Sequence, residues 1–316
     1  LQSAIHPWQA GFAVMKPITL WLLGDGKPGH ENQSLGLANA LARLLPCEVH
    51  RISLVGKSCV VTRVREALRQ SGELPKPDIV IGAGHATHLP LLWLARKHRA
   101  KSIVLMRPSL PCGWFSVCIV PQHDFANGCC RGNVILTRGA LNCVAPSDSQ
   151  NRSGRMILIG GPSKIHGWDG ESLLQALEKI TATGDWELTD SRRTPAGFLD
   201  ELRGRLPAIR ISPHQETGPA WLPQKLGAAE DVWVTEDSVS MIYEALSSGA
   251  KVGLLPVPRL KSDTRVLRGL ADISSGGFIT PFADWQSTHV LTSPPDTLRE
   301  ADRCAAWIVR HFSLKP

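Results

Sequence analysis

The sequence predicts an α/β protein of two doubly wound, parallel-sheet domains facing a ligand cleft at the carboxyl ends of their strands. Three observations predict it. Short apolar runs alternate with stretches of helical spacing, the pattern of parallel strands covered on both faces. Turns of glycine or small polar residues follow several of these runs, where an open α/β sheet presents its ligand. The alternation lapses over Ala145 to Arg155, a polar, turn-rich stretch without apolar period, and then restarts.

The elements follow in order. Ile18 to Leu23 is an apolar run that stops at the loop Gly24-Asp25-Gly26-Lys27-Pro28-Gly29-His30-Glu31-Asn32-Gln33, and Ser34 to Leu45 has the Leu and Ala spacing of a helix. Val49 to Leu54, Ile79 to Ile81 and Ser102 to Met106 read as strands, with helices over Val60 to Arg69 and Leu89 to His98 between them. Ser116 to Val120 and Asn133 to Leu136 add two strands that close the first half. After the linker, Met156 to Ile159, Trp186 to Thr189 and Ala208 to Ile211 read as strands, and Glu171 to Ile180 and Pro195 to Arg205 as helices. The apolar run Val232 to Val234 enters small polar residues able to cap a helix that ends at Gly249; Lys251 to Pro256 is the next strand, and a last helix covers about Asp296 to Phe312. These readings divide the chain into a leader over 1–16, expected to be disordered, a Rossmann-like domain over 17–148 and a second over 155–316.

Composition narrows the class. With 316 residues the chain accommodates two ordinary cores, and 43% apolar and 20% charged residues place it among soluble globular proteins. The net charge of +7 belongs to the first half: residues 1–150 hold 16 Lys/Arg against 8 Asp/Glu, residues 151–316 hold 19 against 20. A basic half suits a phosphorylated acceptor or an anionic membrane surface. Nucleic acid is not expected as a partner, because the cations are scattered without aromatic interleaving or a reading motif. The eight cysteines form no C-x-x-C pair and read as thiols in a reducing compartment. His6, Pro7 and Gln9 interrupt what apolarity the N-terminus has, and no 18-residue apolar stretch occurs, so a cytoplasmic location is expected, peripheral to the inner membrane where the acceptor is lipid-linked.

Three constellations carry chemistry. In the first, Gly26 and Gly29 let the backbone approach a ligand, Lys27 counters a phosphate, and His30 has the proton affinity of a base near neutral pH. In the second, Gly82-Ala83-Gly84-His85 turns from strand to helix, which makes His85 a second acid–base candidate, while Arg107 follows the next strand as an anion clamp. In the third, Gly160-Gly161-Pro162-Ser163-Lys164 and the helix start at Ser238 offer backbone N–H groups to a diphosphate, and Glu244 lies where it reaches a ribose or sugar hydroxyl. Each also has a plain structural reading as a turn or cap. There is no Walker-type phosphate loop, no Asp-x-Asp, no zinc spacing and no Gly-x-Ser-x-Gly elbow, so neither a metal nor a cofactor is expected beyond a nucleotide sugar as substrate.

Gly24 to Leu41 resembles the opening of the glycosyltransferase-B fold, especially the N-acetylglucosaminyltransferase that completes the peptidoglycan lipid precursor. By that resemblance His30 stands where the family has its proposed base. Thr235 to Glu244 is similar to the donor half of the same fold, where small residues at a helix start hold the diphosphate and a later glutamate the sugar nucleotide. Over 17–312, with Gly24 to Gln33 and Thr235 to Ala245 as its signatures, the chain resembles still more closely the mitochondrial-fission factor (elongated mitochondria) family of plants and its bacterial relatives, also described as predicted nucleoside-diphosphate-sugar epimerases. Glu236 and Asp237 depart from the glycosyltransferase pattern. A diphosphate seat beside them requires that they cap the helix or point away.

The three constellations, the missing Asp-x-Asp, the basic first half and the resemblance together lead to the expectation of a metal-independent transferase acting in cell-envelope glycan synthesis. His30 and His85 would be catalytic; Gly160, Gly161, Ser163, Lys164, Asp237, Ser238, Ser240, Met241 and Glu244 would bind the donor; and Gly26, Lys27, Gly29 and Arg107 would lie on the acceptor side. A nucleotide-sugar 2-epimerase and a non-catalytic interaction protein that keeps the fold are the alternatives, since fold alone does not decide function.

Overall fold

The computed structural model describes residues 16–125, 132–145, 152–262 and 264–314. The expected leader up to residue 15 and positions 146–151 of the expected linker lie outside these residues. The described chain divides into two units, one of residues 16–119, 132–135 and 301–314, the other of 120–125, 136–145, 152–262 and 264–300.

Along the first sheet the chain runs β1 (Ile18–Gly24), α1 (Pro28–Leu44), β2 (Cys47–Ser53), α2 (Val60–Ser71), β3 (Ile79–Ala83), α3 (His88–His98), β4 (Lys101–Leu105), β5 (Val117–Pro121) and β6 (Val134–Thr137). The second unit takes over within β5 and β6, so the domain expected over 17–148 gives up residues 120–125 and 136–145. The sheet order is β2-β1-β3-β4-β5-β6, and the β2–β1, β1–β3, β3–β4 and β4–β5 pairs are parallel. All of β3 and all but the first residue of β4 are buried, which is why these strands read as unbroken apolar runs. Helix α1 begins at Pro28, six residues before its expected start. Proline at the first helical position has no N–H to leave unpaired and a φ already suited to a helix, so what reads as a glycine loop is half loop and half first turn.

In the second unit follow β7 (Gly154–Leu158), α4 (Gly170–Ile180), β8 (Glu187–Thr189), α5 (Phe198–Arg205), β9 (Arg210–Ile211), α6 (Trp221–Ala228), β10 (Ala229–Thr235), α7 (Val239–Ser248), β11 (Lys251–Leu255), α8 (Arg265–Ser275), β12 (Ile279–Pro281) and α9 (Phe282–Thr288). The sheet is parallel throughout, in the order β12-β11-β10-β7-β8-β9. Neighbouring residues of one strand serve opposite faces. Met156, Leu158, Val232 and Val234 pack with Leu226, Ile242, Leu246 and Leu270 from α6, α7 and α8. Ile157, Ile159 and Trp233 pack with Leu174, Leu177, Leu202 and Trp285 from α4, α5 and α9. Burying a Leu, Ile or Val side chain contributes roughly 1.5–3 kcal/mol, so two filled faces hold the sheet between its helices.

The last helix, α10 (Glu300–His311), was expected in the domain over 155–316 but belongs to the first unit from residue 301 onward. There the Arg43 guanidinium of α1 pairs with Asp302, and the Lys101 ammonium lies 5.0 Å from the Phe312 ring centre. Position in the sequence did not reveal this return, because packing partners are chosen in space.

Candidate functional site

In both sheets the order reverses direction beside the first strand of the unit, between β1 and β3 in one and between β7 and β10 in the other. Loops leaving the carboxyl ends of such strands form the binding crevice of an open α/β sheet. The turns singled out in the sequence are those loops: Asp25 to Lys27 after β1, Gly84 and His85 after β3, Ile159 to Gly161 after β7, and Glu236 to Ser238 after β10.

In the first unit His30 sits in the first turn of α1, and its Nδ1 lies 3.1 and 3.0 Å from Asp25 Oδ1 and Oδ2. Asp25 also accepts the Lys27 N–H at 3.2 Å, and Glu31 accepts the Gly26 N–H at 3.1 Å, so the loop is closed on itself by its own carboxylates. A carboxylate on Nδ1 fixes the imidazole tautomer and leaves Nε2 to take a proton. The dyad has room only because residue 84 is glycine. Gly84 has φ +83°, and a Cβ placed on it would lie 2.4 Å from His30 Cε1 and Nδ1. The sequence reading proposed His30 but missed Asp25, five residues earlier, whose only sign was its place in a turn.

His85 is exposed, with its ring 5.5 Å from that of buried His88. Burial, with His85 adding to it, pushes the His88 imidazole down to about 4, and its Nδ1 lies 3.3 Å from Ser109 Oγ. Arg107 is exposed after β4, and Lys27 and Gly29 are exposed on the β1–α1 turn.

In the second unit the structure corrects the expected role of the glycines. The Gly160 N–H donates to Thr235 Oγ1 at 2.7 Å and the Gly161 N–H to Asp237 Oδ2 at 2.8 Å, so neither is offered to a ligand. Their lack of side chains lets the turn after β7 meet those after β10 and β8: a Cβ on Gly160 would lie 2.1 Å from Asp237 Oδ2, and one on Gly161 would lie 2.0 Å from the Arg193 carbonyl oxygen. Asp237 is corrected likewise. Its side chain is only 1% exposed and accepts from Arg193 Nη2 at 2.7 Å, so it organises the turn instead of facing a donor. Ser163 Oγ accepts from the Ile165 and His166 N–H groups at 3.2 and 3.1 Å, as a turn residue does, and Lys164 beside it is exposed. Met241 packs its side chain against the core of the unit.

What α7 does offer is its N-terminus. Ser238 stands at the N-cap without a side-chain cap bond, and the first main-chain bond into the helix is Ile242 N–H to Ser238 O at 3.1 Å. The N–H groups of Val239, Ser240 and Met241 therefore face outward at the positive end of the helix dipole. Ser240 is exposed and Glu244 half-buried on the same helix.

Next to this turn lies a cavity of about 510 Å³ at the ends of β8 and β9, lined by Asp190, Arg192, Thr194, Arg203, His214 and Gln215 among others. Thr194 joins the two, donating its hydroxyl to Gly160 O at 2.5 Å. Asp190 accepts from the His214 N–H at 2.7 Å and holds its Nδ1 at 3.0 Å. None of these residues was legible as a site, because they come from the turns after β8 and β9 and from α5, with no motif of their own.

The comparisons with known proteins agree with this architecture. An uncharacterised protein of Rickettsia prowazekii (strain Madrid E) is 22% identical over 303 residues, covering 78% of this chain and 85% of the relative. Among solved structures, the UDP-GlcNAc 2-epimerase of Methanocaldococcus jannaschii superposes with a TM-score of 0.61 at 12% identity, over 95% of this chain and 100% of that one. The glycosyltransferase SnogD of Streptomyces nogalater does so with a TM-score of 0.52 at 15% identity, over 95% and 96%. The fold is thus of the glycosyltransferase-B type, shared by transferases and epimerases. The family described as Mitochondrial fission ELM1 matches residues 28–312, from the first turn of α1 to the end of α10, and the chain belongs to that family.

Proposed function

We propose that the chain is a nucleotide-sugar-dependent glycosyltransferase of cell-envelope glycan synthesis, with the donor on its second unit and the acceptor on its first. The observation that carries the reading is the uncapped N-terminus of α7 at the reversal point of its sheet, with Glu244 farther along the same helix. Three outward N–H groups and a positive dipole end suit the diphosphate, and the adjoining cavity has the volume for a nucleoside. In this mechanism His30 Nε2 takes the proton of the acceptor hydroxyl, and Asp25 stabilises the imidazolium that forms. The acceptor oxygen bonds to the anomeric carbon as the bond to the diphosphate breaks, and the helix end stabilises the departing charge.

The basic composition of the first half supports a phosphorylated or lipid-linked acceptor. So does α3, where exposed Leu89 and Trp93 are followed by exposed Arg96 and Lys97, a combination suited to an anionic bilayer surface.

Calorimetric titration with UDP, GDP, ADP, CMP and their sugars tests the reading. One nucleotide is expected to bind saturably and Glu244→Ala to weaken it; His30→Ala and Asp25→Asn should lower turnover by about 10²–10⁴-fold and leave donor affinity nearly unchanged. Conversion of donor alone into an epimer would replace transfer by 2-epimerisation. No nucleotide binding at all would leave an interaction protein.

A further inference from the structure

Two carboxylates, Glu236 and Asp237, stand immediately before the N-cap of α7, where a bound diphosphate requires the opposite charge. Each is buried against an arginine. Asp237 Oδ2 takes Arg193 Nη2 at 2.7 Å, and Glu236 Oε1 takes Arg259 Nη2. The carboxylates are 1% and 4% exposed, and the arginine side chains 39% and 54%. The four charges sum to zero, yet the part open to solvent is positive.

The Arg193 guanidinium and the Arg259 backbone are also held by their surroundings. Arg193 Nη1 donates to the Gly161 and Pro162 carbonyl oxygens at 2.5 and 3.3 Å. Arg259 is fixed by its backbone, which bridges to His166 in antiparallel fashion, with Leu260 N–H to Ile165 O at 2.9 Å and Gly167 N–H to Pro258 O at 2.7 Å alongside. His166 is fully buried in the same cluster, burial holds its imidazole below its ordinary value, and its Nε2 has no protein partner. Arg193 Nη2 also donates to the Asp237 carbonyl oxygen at 3.5 Å, and a satisfied structural network does not leave His166 Nε2 and Asp237 Oδ1 buried and unpaired beside two part-exposed arginines at one helix end.

We infer that Arg193 and Arg259 form a pyrophosphate clamp at the N-terminus of α7, with Glu236 and Asp237 as positioning residues that aim the two guanidinium groups. The inference rests on the nucleotide-sugar reading and extends it to two arginines from the turns after β8 and β11. Arginines placed beforehand by buried carboxylates lose little freedom when phosphate oxygens arrive, and they add their charges to the partial charge of the helix end. The helix alone would bind a diphosphate weakly in water.

The test is calorimetry of the full chain with inorganic pyrophosphate, UDP and uridine, on the wild type, Arg193→Gln, Arg259→Gln and the charge-neutral double variant Arg193→Gln/Asp237→Asn. The double variant guards against misfolding caused by an unpaired buried carboxylate, and circular dichroism establishes that each protein is folded. Each arginine removed should weaken pyrophosphate by about 10- to 100-fold and leave uridine within about twofold. Loss should persist in the double variant, and the salt dependence of pyrophosphate binding should fall with each arginine. Pyrophosphate bound equally by wild type and folded variants overturns the clamp and leaves the donor reading standing if UDP still binds. Pyrophosphate bound in an arginine-dependent way without any nucleotide supports the clamp and removes the donor reading. Binding of neither removes both.

Discussion

Replacing Gly84 by alanine tests whether the His30–Asp25 dyad depends on the β3 turn. Gly84 has φ +83° and ψ 158°, a region that only glycine occupies readily, and forcing a side chain there costs about 1–3 kcal/mol. The new methyl would lie 2.4 Å from the imidazole, so the ring must retreat by roughly 1 Å to reach ordinary contact. That movement takes the 3.0 and 3.1 Å contacts to Asp25 beyond hydrogen-bonding range and withdraws about 1–2 kcal/mol more. Together the substitution should destabilise the segment by roughly 2–5 kcal/mol. Gly29→Ala is the control: an added Cβ there meets nothing within 4 Å, and alanine in a first helical turn should be neutral or slightly stabilising. Urea-dependent hydrogen exchange across α1 measures both. Equal protection in the two variants, or an unshifted His30 imidazole resonance in Gly84→Ala, would refute the idea that this glycine makes room for the dyad.

Two further outcomes are expected. His88 is held at about 4, below its unfolded value near 6.5, so the folded state binds fewer protons than the unfolded one between these limits. Stability is therefore full above about pH 6.5 and is withdrawn as pH falls toward 4, by roughly 2 kcal/mol after allowance for solvent access; His88→Gln should flatten this part of the urea-stability curve. Gly253→Ala should destabilise the second unit by about 1–3 kcal/mol, because its Cβ would press 2.4 Å from Trp233 Cε3, while Trp285 holds that indole at a ring distance of 5.3 Å; thermal unfolding that matches wild type would contradict this.

The strands were legible because central parallel strands are buried on both faces and so read as apolar runs. Ile79–Ala83 and Ala229–Thr235 extend the runs read from the sequence by a few residues at their ends. Helices α6, α8 and α9 with strand β12 were not read. Pro223 marks α6 as a break, although the first turn of a helix tolerates proline. Strand β12 and helix α9 have three and seven residues, too few to show a period. Of the candidate site, the local parts were visible: the turn with His30, the helix start at Ser238 and the glycines. The partners that give those parts their chemistry were not, since Arg193 and Asp237 are 44 residues apart and no spacing rule joins them. The roles expected for Gly160 and Gly161 were misplaced for the same reason. A glycine pair that admits a phosphate and one that admits a neighbouring carboxylate look alike until the neighbour is seen.

The return of α10 to the first unit sets an order on assembly. Synthesis delivers the strands of that unit first, yet Asp302, the partner of Arg43, and Phe312, the ring beneath Lys101, leave the ribosome only after the whole second unit has been made. The second unit, made of residues 120–125 and of described residues between 136 and 300, can close before the first is complete. A fragment ending before residue 136 would hold the earlier unit without its final helix, so the half made first is the half finished last.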